Sequence, residues 1–189
     1  MAALCSWISL SAFAQDVEAY RDAKLPVEDR VADLIGRMTL EEKVAQIEGT
    51  WQNRENLKDA TQLFVDEKGV FLPERAGMVL KTGLGQMSRP SEKHGPRAMA
   101  EFTNTIQKWM KENTRLGIPI LFHEECLHGH AALGGTSFPQ AIALASTWDE
   151  GLVQNVFSSV AAEVRARGAQ QCLAPVLDLA RDPRWGRTE

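Results

Sequence analysis

Apolar residues recur along the chain with two periods. Val27, Val31, Leu34, Ile35 and Met38 follow Pro26 at helical spacing, which predicts an amphipathic helix. Thr39 and Glu42 have capping-box spacing. They predict a second helix with Leu40, Val44 and Ile47 inward, stopping near Gly49. Residues 50–77 are polar and irregular, with Trp51 and short apolar stretches near Phe64 and Phe71, and read as a long excursion. Leu80 to Met87 predicts a first strand, whose Gly83 and Gly85 permit close approach of another backbone. Met99, Phe102, Ile106, Trp109 and Met110 share one face of a further helix that ends near Gly117. Ile118 to Phe122 is a continuous apolar run, the pattern of a strand buried on both faces. Thr147-Trp-Asp-Glu150 has capping-box spacing again and opens a helix with Leu152, Val153, Val156, Phe157, Val160 and Val164 inward, closed by Gly168. Cys172 to Leu179 is a further apolar strand. Strand, crossover helix and strand over these lengths predict βαβ units, a parallel sheet and the α/β class.

Composition removes several functions from this picture. Of the 189 residues, 44% are hydrophobic and 24% charged, which supplies a core and excludes global disorder. A net charge of −4 argues against a nucleic-acid binder and against an anionic membrane surface. No run approaches the ~20 apolar residues of a membrane span. Three cysteines, Cys5, Cys126 and Cys172, are too few for a disulfide framework. Residues 1–14 are uncharged and end in the small-x-small pattern Ala12-Phe13-Ala14 before Gln15. They resemble an export signal without its positive start, and otherwise suit an apolar N-terminal helix. The expected division is a signal-like segment over 1–14 and one folded portion over 15–189, in a secreted or periplasmic protein. If Cys5 leaves with the signal, Cys126 and Cys172 remain and could pair in an oxidising compartment.

Charged residues gather where the predicted strands end. Glu124 and Glu125 follow the run ending at Phe122, and Asp178, Arg181, Asp182, Arg184 and Arg187 lie near the run ending at Leu179. Ligands of parallel α/β proteins bind at that edge. A zinc-hydrolase HExxH motif needs histidines four apart, and His123 and His128 are five apart. Cys126, His128 and His130 alternate as in an extended segment, which leaves a metal-dependent hydrolase as a minor alternative. A nucleophile elbow, a phosphate loop and a dinucleotide fingerprint are missing from the sequence. The remaining constellation is carboxylate, arginine and tryptophan. A pyranose needs acceptors and forked donors around its edge and a flat apolar surface against its face. Glu125, Arg187 and Trp185 fit by type. Trp185 also suits a core or hinge place in the Asp182–Gly186 turn, which Arg184 can brace through local carboxylates.

Three segments then carry a resemblance. Gly117-Ile-Pro-Ile-Leu-Phe-His-Glu-Glu-Cys-Leu-His-Gly129, Ser137-Phe-Pro-Gln-Ala-Ile-Ala-Leu-Ala-Ser-Thr-Trp-Asp149 and Ala174-Pro-Val-Leu-Asp-Leu-Ala-Arg-Asp-Pro-Arg-Trp-Gly-Arg187 are similar to segments of family 3 glycoside hydrolases, as is the opening around Arg30 to Glu48. The resemblance covers roughly residues 20–189. It implies the N-terminal part of a (β/α)8 TIM-type barrel, incomplete in this chain, since such a barrel needs ~250 residues. It implies hydrolysis of terminal β-linked glucose or xylose with retention, on an oligosaccharide or glycoside substrate, without cofactor or metal. Glu125 matches the acidic position that holds sugar hydroxyls, and Arg187 the arginine that clamps the same sugar. Cys126 departs from the small residue common there. The nucleophile and the acid/base are expected beyond Glu189, so no catalytic residue is assigned in this chain. The missing C-terminal part of the same chain is the expected partner. A non-catalytic carbohydrate-binding module is the alternative.

Overall fold

The computed structural model describes residues 18–52, 59–177, 179 and 181–186. The signal-like segment, Asp178 and Arg187 lie outside the described residues. The chain divides after Thr39 into two compact units. The described part of the first holds a 3-10 turn, Ala19–Arg21, and helix α1, Val27–Arg37. Pro26, which has no amide to leave unpaired, stands at the start of α1. The Tyr20 amide donates to Asp33 at 3.0 Å and Arg30 Nε donates to the Tyr20 carbonyl at 3.0 Å, which ties turn to helix.

The second unit runs through α2 Leu40–Ala45, β1 Gly49–Thr50, α3 Pro73–Val79, β2 Gln86–Ser88 and α4 Pro96–Asn113. It continues with β3 Leu121–Glu125, α5 Ala141–Ala145, α6 Glu150–Ala166 and β4 Gln171–Leu173. The four strands form one parallel sheet in chain order. This is the α/β arrangement that the periodicity predicts.

Helices α4 and α6 follow the apolar period closely, whereas α1 buries none of its residues and leaves Val27, Val31 and Ile35 exposed. On α4, Met99, Phe102, Thr103, Ile106 and Met110 are buried, and the helix opens on Pro96 and stops at Asn113 rather than near Gly117. On α6, Val156, Val160 and Val164 are buried, and Leu152 is exposed. Its N-cap is Asp149, whose carboxylate accepts from the Leu152 amide at 2.9 Å, so the cap lies two residues past the expected Thr147. Gly168, at φ 95°, follows its C-cap. Helix α2 departs from its pattern. Leu40 and Ile47 are 72% and 85% exposed, whereas Glu42 is buried and takes Arg115 Nε at 2.8 Å. The ion pair from exposed Arg115 to buried Glu42 turns that face inward.

Strand limits differ more, for long-range reasons. The ladder of β3 starts at Leu121, after Ile118-Pro119-Ile120. Pro119 has no amide to give, and Ile120 is satisfied by an α4 side chain: its amide donates to Gln107 Oε1 at 3.0 Å and its carbonyl accepts from Gln107 Nε2 at 2.6 Å. The strand then continues through Glu125, three residues past the expected end. The strand expected from Leu80 begins only at Gln86. The Gly85 amide donates to the Ala45 carbonyl at 2.7 Å, and a Cβ there would stand 2.0 Å from the Gln46 carbonyl oxygen. The close approach expected of the glycines is present, at the entrance to the strand. Strand β4 is three residues long and stops before Pro175. The pattern predicts three strands. The fourth, β1, has two residues, too few for any periodicity.

The sheet has unlike faces. Met87 and Phe122 point into a core with Met99, Ile106, Met110 and Val160 from the helices. Phe64 and Phe71 of the long excursion close that core edge to face, with centroids 6.3 Å apart. Gln86, Ser88, His123 and Glu125 lie on the opposite, half-exposed face. Among the described residues no helix is long and apolar enough to cross a membrane.

Candidate functional site

Strand β3 carries two adjacent glutamates, and the two-residue period of a strand sends them to opposite faces. Glu124 points into the packed side and is fully buried. Its Oε1 accepts from the Ser91 amide at 2.8 Å and its Oε2 from the Ser91 hydroxyl at 2.7 Å. His130 Nε2 stands 3.4 Å from the same Oε2. Glu124 therefore clasps the loop after β2 from behind the sheet. Glu125 lies half-buried on the open face at the carboxyl end of β3, and its carboxylate accepts no hydrogen bond from the described residues. His123 shares that face. Burial lowers its pKa below the ordinary 6.5, and the Glu124 and Glu125 carboxylates oppose the shift. An acceptor-only group facing open space at a strand end is suited to hydroxyl donors.

The strand ends beside Glu125 carry residues that pattern reading passed over. Trp51 follows β1 and Arg89 follows β2. The Arg89 amide donates to the His123 carbonyl at 2.8 Å, and its guanidinium lies 4.8 Å from the Trp51 ring centroid. Trp51 Nε1 donates to Glu92 Oε2 at 2.6 Å. Arg89 has φ 51°, the left-handed region that a side chain disfavours. The signal available in the sequence was Arg89-Pro90, two residues past the predicted strand Leu80 to Met87. Trp51 sat in the unassigned excursion.

Of the other expected residues, Trp185 and Arg184 lie in the turn after β4. Trp185 is 42% exposed, in a turn where its amide donates to the Asp182 carbonyl at 3.0 Å. Arg184 braces that turn as expected, its amide and Nε each donating to Asp182 Oδ1 at 2.9 Å. Arg187 lies outside the described residues. The metal reading fails on geometry. Cys126 and His130 are buried while His128 is exposed, and no three potential ligands gather among the described residues. Burial also pushes the Cys126 thiol up, and the neighbouring Cys172 adds to this, so its thiolate is disfavoured.

The carboxyl edge of the parallel α/β sheet thus presents carboxylate, guanidinium and indole on neighbouring strands. Residues 39–189 match the Glycosyl hydrolase family 3 N terminal domain, and the chain belongs to that family. It is 37% identical over 171 residues to a putative β-xylosidase of Formosa agariphila, covering 89% of this chain and 21% of that protein. It is 32% identical to the periplasmic β-glucosidase/β-xylosidase of Dickeya chrysanthemi, covering 90% of this chain and 26% of that one. A β-glucosidase structure from Erythrobacter marinus superimposes with a TM-score of 0.72 at 33% identity, over 92% of this chain and 22% of that chain. The chain thus spans a fifth to a quarter of these relatives' lengths.

Proposed function

We propose that this chain is the N-terminal part of a (β/α)8 barrel in a retaining β-glycosidase of the periplasm or the secreted fraction. The whole protein removes terminal β-linked glucose or xylose from oligosaccharides and glycosides. Glu125 holds hydroxyls of the terminal sugar, with Arg187 and Trp185 completing the grip. The observation that carries this reading is the free Glu125 carboxylate at the carboxyl end of β3. Retention needs two carboxyl groups ~5 Å apart on one site, one attacking and one transferring a proton. Glu124 and Glu125 face opposite sides of their strand and are not that pair. Likeness to the family implies that the nucleophile and the acid/base lie beyond Glu189.

The test is Glu125→Ala in the full-length protein, assayed on aryl β-glucosides and β-xylosides. A charged hydrogen-bond partner is worth enough that kcat/KM should fall at least about tenfold. Unchanged kcat/KM on both substrates would refute the role given to Glu125.

A further inference from the structure

We infer that Arg89 is a second sugar-binding residue beside Glu125, and that Trp51 is its positioning residue. The inference rests on the proposed function and adds to its binding edge. Trp51 and Arg89 directly follow β1 and β2, and Glu125 closes the neighbouring β3, so the carboxyl edge carries indole, guanidinium and carboxylate in that order. Ser88 pairs with His123 across the ladder, so Arg89 leaves β2 level with Glu124, one residue before the end of β3.

Among the described residues Arg89 has no acid of its own. Its side chain makes no ion pair and no hydrogen bond among the described residues, and the Trp51 ring supports it from one side. The indole is itself fixed by its bond to Glu92. The planar fork is left with its donors open, the state in which arginine takes hydroxyl or carboxylate oxygens from a ligand.

The backbone beneath Arg89 is held from several directions. Glu124 grips the Ser91 amide and hydroxyl. The His94 ring nitrogens lie 3.0 Å from the Pro90 and Gly69 carbonyls, and that ring stacks on Phe102 at 4.5 Å. The Glu92 amide donates to the Arg89 carbonyl at 3.0 Å. Such bracing keeps a side chain in left-handed backbone, a conformation that persists only when its surroundings enforce it and that concentrates at ligand sites. Glycine would occupy φ 51° without strain, so the guanidinium is retained against a local preference.

The experiment is calorimetric binding of glucose and of xylose to the full-length protein. Wild type, Arg89→Gly, Arg89→Lys, Trp51→Phe, Trp51→Leu and Glu125→Gln are compared, with a melt of each. Arg89→Gly and Arg89→Lys should weaken the bound sugar about tenfold, the scale of a charged hydrogen bond. Arg89→Gly should melt no lower than wild type, because the strained backbone relaxes. Trp51→Phe should keep most of the affinity by preserving a ring under the guanidinium, and Trp51→Leu should lose it. Arg89 variants within about twofold of wild type while Glu125→Gln loses binding would overturn this inference and leave the proposed function standing. A lower melt for Arg89→Gly would make the guanidinium a brace for Trp51, and would overturn it too. A wild type that neither binds nor turns over either sugar would overturn the proposed function, and this inference with it.

Discussion

Glu124 is a buried carboxylate whose acceptors are occupied by one residue of a neighbouring loop. Removing it leaves the Ser91 amide without a partner in a dry site, a change that costs more than the hydrogen bond contributes. Glu124→Ala should therefore destabilise the fold by roughly 3 kcal/mol, read by denaturant unfolding, with Glu124→Gln losing less. Beside it, His123 couples stability to pH. Burial lowers its folded-state pKa, so the unfolded chain takes up a proton at 6.5 before the folded one does. Stability should fall as pH drops below about 6.5 and flatten once the folded imidazole is protonated as well. Melting temperatures between pH 7.5 and pH 5.0 should show a loss in wild type that His123→Gln reduces.

At the scale of elements, the strand entrances are set by single glycines and glutamines. Gly85 lets the loop before β2 meet the Gln46 carbonyl, which a Cβ would overlap at 2.0 Å. Gly85→Ala should cost about 2–3 kcal/mol, because the obstacle is backbone and cannot rotate away. Asp149→Ala should remove the cap of α6 and cost about 1 kcal/mol. These contacts also explain what was legible in the sequence. The buried faces of α4 and α6 can be read from spacing because each helix closes its hydrogen bonds within itself. The limits of β2 and β3 cannot, because Gln46 and Gln107 that define them lie 39 and 13 residues from Gly85 and Ile120. Glu125 was legible from its place after an apolar run. Arg89 and Trp51 were not, because only pairing in the sheet brings three distant strand ends side by side.

On the scale of the whole molecule, β1 and β4 are edge strands, each with one side unpaired. Beside β4, an apolar groove is lined by Leu144, Val153, Phe157, Cys172, Ala174 and Pro175. Unpaired edges next to open apolar surface favour association between copies. The 189-residue chain by itself should elute from size exclusion as aggregates, with light scattering rising on concentration; a monomer with one sharp melt would overturn that expectation.

The alternation along β3 has a consequence at the level of the gene. Substitutions in this strand change one side chain at a time, and each face tolerates or rejects them separately. Loss or gain of a single codon upstream of Glu124 within the strand does something else. It exchanges the two sides of every later position, so the clasp of Ser91 is turned out to the open face while the free carboxylate is driven into the core. Variation among copies of this gene should therefore show replacements mainly at codons 121 and 123 and an unvarying number of codons across 121–125.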